Sequence, residues 1–115
     1  MQTIKAFIEA EKHEGPSIII AYAQCIEHGI KGGLINSIEQ EKLSVECGYN
    51  ILMRYNENKL YIDSQEPNFE KYNEFLNNEV RYRSLKTKDE RIAKELLEQQ
   101  KNNAIERYNY YKNLI

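Results

Sequence analysis

Ser17-Ile18-Ile19-Ile20-Ala21-Tyr22-Ala23 is the stretch on which the fold class turns. It is a continuous β-branched and apolar run without alternation, the pattern of a strand buried on both faces of a parallel sheet. Gly15-Pro16 bounds it upstream, and Gln24 to Asn36, containing Gly29, Gly32 and Gly33, reads as a loop downstream. Before it, Ile4, Phe7 and Ile8 have the i, i+3, i+4 spacing of an amphipathic helix over Thr3 to His13. After it, Ser37 with Gln40 three residues later predicts a capped helix to about Glu46, with Ile38, Lys42 and Val45 on one face. Tyr49 to Tyr55 and Lys59 to Asp63 read as short strands, paired as a hairpin across Asn56-Glu57-Asn58. A helix with Tyr72, Phe75 and Leu76 follows from Phe69. Thr87-Lys88-Asp89-Glu90 then predicts a second capping box, opening a long C-terminal helix over residues 87–113. Its Ala93, Leu97, Ala104, Tyr108 and Tyr111 make one apolar stripe that must pack on something. The class is α/β: one buried parallel-type strand plus short strands, flanked by helices. Parallel pairing needs further strands reached through crossovers, so the chain reads as an incomplete part of a larger sheet.

Composition removes several functions. The chain has 115 residues, enough for one small domain, and 16 Lys+Arg against 18 Asp+Glu leave a net charge of -2. No strongly basic field is available for nucleic acid. The longest apolar run, Ile18 to Ala23, is too short to cross a bilayer, and a signal-peptide pattern is lacking, so a soluble, cytoplasmic chain is expected. Cys25 and Cys47 are too few for a disulfide framework and suit a reducing compartment.

Chemistry in open α/β sheets collects beyond the carboxyl ends of strands, and Cys25 stands two residues past the predicted strand. On residue type alone several readings stay open. Cys25 is a small buried hydrophobe, or a zinc ligand with His28, Cys47 and His13, or a nucleophile with His28 as its base. The zinc set lacks the tight ligand pairs of structural sites. Glu9, Glu11, Glu14, Glu39, Glu41 and Glu46 could be acid/base carboxylates, although they sit on heavily charged helices and read as solvated faces. Arg81, Arg83, Lys86 and Lys88 cluster around Tyr82, with Glu79 and Asp89 flanking them, which reads as a surface salt-bridge network rather than a phosphate or acidic-partner contact.

From Gly15 to Gly33, and on through Glu39-Gln40-Glu41-Lys42, Val45-Glu46-Cys47-Gly48-Tyr49, Arg54-Tyr55-Asn56, Asp63-Ser64-Gln65-Glu66-Pro67 and Glu79-Val80-Arg81-Tyr82-Arg83-Ser84-Leu85, the sequence resembles the single-chain pyruvate:ferredoxin (flavodoxin) oxidoreductases. The resemblance covers nearly the whole chain. It implies that residues 1–115 are one partial domain, the C-terminal part of a thiamine-diphosphate-binding domain. The parent enzyme would oxidatively decarboxylate pyruvate with coenzyme A, passing electrons through iron–sulfur clusters to ferredoxin or flavodoxin. In that family the cysteine matching Cys25 is the fourth ligand of the [4Fe–4S] cluster nearest the thiamine. A cluster of this kind needs four thiolates, and this chain has two cysteines in all. The isolated chain is therefore expected to hold neither the cluster nor thiamine diphosphate with Mg, to be inactive alone, to need the remainder of the parent, and to self-associate. Glu27, Asn50 and Leu34-Ile35-Asn36 depart from the family pattern. A second reading is a free-standing α/β interaction module that docks through the stripe of its C-terminal helix.

Overall fold

The computed structural model describes residues 1–27 and 29–115. Five helices and one hairpin follow in order: α1 Gln2–Lys12, α2 Ser37–Glu46, β1 Met53–Asn56, β2 Lys59–Ile62, α3 Tyr72–Asn78, α4 Val80–Lys88 and α5 Glu90–Lys112. Short 3₁₀ turns, Leu34–Asn36 and Phe69–Lys71, lead into α2 and α3. The architecture is mixed helix and strand with a long C-terminal helix.

The hairpin forms within the predicted segments, but β1 starts at Met53 rather than Tyr49 and takes in Asn56, leaving Glu57 and Asn58 as the turn. β1 and β2 pair antiparallel with Met53 opposite Ile62 and Asn56 opposite Lys59. Glu57 and Asn58 turn the chain with φ of 49° and 61°, the doubly left-handed geometry whose twist suits a two-residue hairpin loop.

The core is built by the helices. Tyr72, Phe75 and Leu76 of α3 pack with Cys47, Leu97 and Ala104, all buried, while Leu43, Tyr49, Phe69 and Tyr82 close around them. The predicted α5 stripe is met inside the chain: Ala93, Leu97, Ala104 and Tyr108 are buried as α5 lies across α3 and α4. At 1.5 Å per residue its 23 residues reach about 35 Å, long enough to span the whole cluster. The covered stripe takes away the ground on which the docking-module reading stood.

Three local readings are corrected by the structure. The boundary between α4 and α5 is capped by Asp89, whose carboxylate accepts from the Ile92 N–H at 3.0 Å, not by Thr87. Thr87 lies inside α4, its hydroxyl donating back to the Ser84 carbonyl at 2.7 Å. Similarly, Ser37 is the first residue of α2 and makes no cap, and Gln40 points into the core. The face of α2 that is buried is Gln40 and Ser44, whereas Ile38 is exposed. Polar side chains occupy this inner face because backbone and side-chain partners await them there, as described below.

The largest correction concerns residues 17–23. They form no strand and join no sheet among the described residues, and Ile18 and Ile20 are 87% and 93% exposed. The physical reason is the one that made the assignment incomplete: a doubly buried strand exists only between neighbours, and no neighbouring strand is supplied here. Nor is any described residue before Ile30 buried. α1 is held from outside its apolar face. Arg54 donates to both Glu9 carboxylate oxygens at 2.8 and 2.7 Å while pairing with Asp63 at 2.7 and 3.0 Å. Ser17 also donates to the Ala10 carbonyl. Consequently the radius of gyration is 16.1 Å, against about 13 Å for a compact chain of this length.

Candidate functional site

Cys25 stands two residues past Ala23 with its thiol exposed. Its carbonyl accepts from the Gly29 N–H at 3.3 Å, closing a turn. Beyond the turn the chain is seized by the core. Ile30 is buried and forms an antiparallel bridge with Glu79 at the joint between α3 and α4. The Lys31 N–H donates to the Asn78 carbonyl at 2.8 Å, and the Val80 N–H to the Gly29 carbonyl at 3.3 Å.

Glu79 is itself buried, and its carboxylate accepts from the Gln40 side-chain amide at 3.0 Å. The same amide nitrogen donates to the Phe75 carbonyl, also at 3.0 Å. Both protons of that NH2 group are thus engaged, and Gln40, at 2% exposed, ties α2 to the end of α3. Ahead of Cys25, the Tyr22 ring lies 6.2 Å from the Tyr49 ring. Burial and then the nearby Glu79 carboxylate push the Tyr22 phenol up from its ordinary value.

Tyr49 is the hub of this aromatic group. Its ring packs 4.4 Å from Phe75, and its hydroxyl shares a 2.8 Å hydrogen bond with Tyr82, which also accepts from Gln100 at 3.4 Å. Burial and the Tyr82 hydrogen bond raise the Tyr49 phenol strongly, and burial raises Tyr72 to about 12. Arg107 of α5 fixes the adjoining backbone by donating to the Tyr49 carbonyl at 2.7 Å.

The other cysteine has a different setting. Cys47 is fully buried, its thiol directed at the Ser44 carbonyl at 3.6 Å, and burial pushes its pKa up. It is a packing residue. Among the described residues no group of three or more His, Cys, Asp or Glu side chains is placed to hold a metal ion. The zinc set of Cys25, Cys47 and His13 is therefore not assembled there. His28, named both as a zinc ligand and as a base for Cys25, lies outside the described residues.

Two of the carboxylate candidates are held in ion pairs. Glu9 is held by Arg54, and Glu46 is paired with Lys71 at 3.0 Å, which lowers its pKa through that hydrogen bond. Around Tyr82 the predicted salt-bridge network does not form. Glu79 turns inward, Asp89 caps α5, Lys86 donates to Asn77, and no ion pair of Arg81, Arg83, Lys86 or Lys88 falls among the described residues. Gln40, Glu79 and Arg107 were missed in the sequence because each looks like an ordinary helix-surface residue. Only burial marks Gln40 and Glu79, and only its contact with the Tyr49 carbonyl marks the exposed Arg107.

A [4Fe–4S] group asks for four thiolates, and the donor set here is one accessible thiol and one sealed in the helical core. The described residues alone do not fit the whole group.

No protein-family model matches the chain. It is nevertheless similar along almost its full length to one segment of large pyruvate oxidoreductases. Over 98% of its length it is 39% identical to a pyruvate-flavodoxin oxidoreductase of Klebsiella pneumoniae and 41% identical to a pyruvate:ferredoxin oxidoreductase of Moorella thermoacetica. It is also 32% identical, over 99% of its length, to a mitochondrial pyruvate dehydrogenase [NADP(+)] of Euglena gracilis. The chain matches a fragment of the pyruvate-flavodoxin/ferredoxin oxidoreductases, as its motifs indicate, and spans about a tenth of the length of the first two relatives. Among the described residues no helix is long and apolar enough to cross a membrane.

Proposed function

We propose that residues 1–115 are one part of the thiamine-diphosphate-binding domain of a cytoplasmic enzyme that oxidises pyruvate to acetyl-CoA, and that Cys25 supplies one thiolate to a [4Fe–4S] cluster of that enzyme. The parent's electron acceptor would be ferredoxin or flavodoxin. The observation that carries the reading is the similarity over 98% of the chain to one tenth of each pyruvate oxidoreductase. Of the two cysteines, Cys25 has the accessible thiol, which supports it over Cys47 as the ligand. The open apolar strip at Ile18, Ile20 and Ile26 supports the same reading, because water-exposed side chains of this kind are suited to burial against the rest of a larger enzyme. Thiamine diphosphate with Mg and the remaining cluster ligands would come from that remainder. The isolated chain is thus inert, and its open strip drives self-association.

The test is to purify anaerobically the polypeptide that carries this sequence, with an antibody against α5, and to determine its size and iron content. A band several times larger than 13.6 kDa, containing iron that falls by one cluster in the Cys25→Ser variant, is expected. Full iron content and unchanged cluster spectra in Cys25→Ser would overturn the ligand role. The 115-residue chain itself should reduce no viologen dye with pyruvate and coenzyme A, and any turnover would refute its inertness.

A further inference from the structure

Helix α4 carries four cations and no anion. Arg81, Arg83, Lys86 and Lys88 all fall within Val80–Lys88, which leaves 12 Lys+Arg against 18 Asp+Glu for the rest of the chain. Positive charge is thus segregated onto one short helix of an acidic chain. All four residues are exposed, and none of them makes an ion pair among the described residues. The acids that bracket the helix are engaged elsewhere: the Glu79 carboxylate accepts from Gln40, and the Asp89 carboxylate caps α5. Ser84 and Thr87 turn their hydroxyls back to the helix's own carbonyls, at 2.9 and 2.7 Å.

Tyr82 and Leu85, the two half-buried residues of α4, mark its inner face. At about 100° per residue, Arg81 and Lys88 then share one flank, Arg83 and Lys86 the other, and Ser84 and Thr87 lie on the ridge between them. Cations on two flanks do not converge on one small anion. An extended acidic segment laid along the ridge, about 13 Å long, meets both.

We propose that the outer face of α4 is a docking surface for an acidic segment of a separate protein, bound reversibly by charge. Charge complementarity sets the sign of the partner. Its separateness follows from the side chains, since permanent interfaces are depleted of charge at their centres and lasting cover would strip water from four cations. The open apolar strip at Ile18, Ile20 and Ile26 has the composition of a lasting contact instead. A nucleic acid fits α4 less well, because the chain as a whole is acidic. A lipid surface needs an apolar face, and Val80, at 37%, is the one exposed large apolar residue of this helix. The surface is independent of Cys25 and of any cluster.

The test is fluorescence anisotropy of a fluorescein-labelled peptide of alternating Glu and Ser, long enough to span α4, with the 115-residue chain. Binding is expected, and it should weaken steeply as salt rises, because exposed charges are screened over about 10 Å at 0.1 M. Arg81→Glu with Lys88→Glu, and Arg83→Glu with Lys86→Glu, should each weaken it about tenfold or more, whereas Lys5→Glu with Lys12→Glu, an equal change of charge on α1, should weaken it less than about twofold. Where a glutamate pair does not fold, Arg81→Gln with Lys88→Gln decides: a loss of about threefold or more is expected, and no loss would overturn the proposal. Absence of binding, unchanged affinity in both α4 pairs, or an equal loss in the α1 pair would also overturn it. Tighter binding of single-stranded RNA, or of phosphatidylserine-containing vesicles, than of the peptide would refute a protein partner. Loss of the chain's self-association in the α4 pairs would make a second copy the occupant and refute a separate one.

Discussion

Gly48 joins α2 to the segment that carries Tyr49, and replacing it by alanine should be among the costliest single-methyl additions in this chain. Its φ is 81°, in the left-handed region. A side chain there costs roughly 1–2 kcal/mol. A Cβ would also stand 2.6 Å from Cε1 of Phe69 and 2.8 Å from Cβ of Pro67. Neither neighbour can yield easily, since the proline ring is fixed to its backbone and Phe69 is wedged edge-on against Tyr108 at 6.1 Å. Overpacking of this sort adds roughly 1–3 kcal/mol. The sum, about 2–5 kcal/mol, is a large share of the roughly 6–17 kcal/mol available to a domain of this size. In urea unfolding it should lower the midpoint by about 1–3 M with the slope unchanged. A Gly48→Ala loss no larger than the backbone cost alone, roughly 1–2 kcal/mol, would refute the packing argument.

Further outcomes follow from named contacts. Arg54→Met should free α1 from the hairpin, raising amide exchange throughout Gln2–Lys12, yet cost no more than about 1 kcal/mol because each of its ion pairs is partly open to water; unchanged α1 exchange would argue that other contacts hold this helix. The hairpin's own half of this ion-pair cluster, Arg54 with Asp63, should depend on acidity. The hydrogen bond from Arg54 holds the Asp63 carboxyl below its ordinary value. That contribution is therefore complete above the usual aspartate range, about 3.9, and is lost as the pH falls through the lower folded value. The Asp63 carboxyl and Arg54 side-chain chemical shifts should begin to move only below that range, and movement at neutral pH would contradict it. Tyr72 should titrate at about 12, read as the phenolate absorbance step missing from Tyr72→Phe. Since its folded value is raised, its stabilising contribution is full below the ordinary phenol value, about 10, and declines as the pH rises through the folded one. A Tyr72 step at or below the ordinary value would show that its ring is not buried in solution.

Local pattern and tertiary context divided the work unevenly in this chain. The period of Tyr72, Phe75 and Leu76 and the stripe of Ala93, Leu97, Ala104 and Tyr108 were legible because each follows from helix geometry, and both are buried as their spacing implies. The hairpin turn was legible for the same reason, a short-range choice made by a few residues. So was kinship with the pyruvate oxidoreductases, which residue identities carry directly. Gln40 and Glu79 were not, because Ser37-x-x-Gln40 is equally good as a capping box and as a polar group aimed at a core; only the arrival of Phe75 and Glu79, 35 and 39 residues later, decides between them. The run Ser17 to Ala23 shows the same division most sharply. By itself the sequence determined an apolar segment followed by an accessible cysteine. Whether such a segment is a strand is a matter of partners, since backbone hydrogen bonds and burial of both faces come only from chains alongside it, and in this tertiary structure its sides are open.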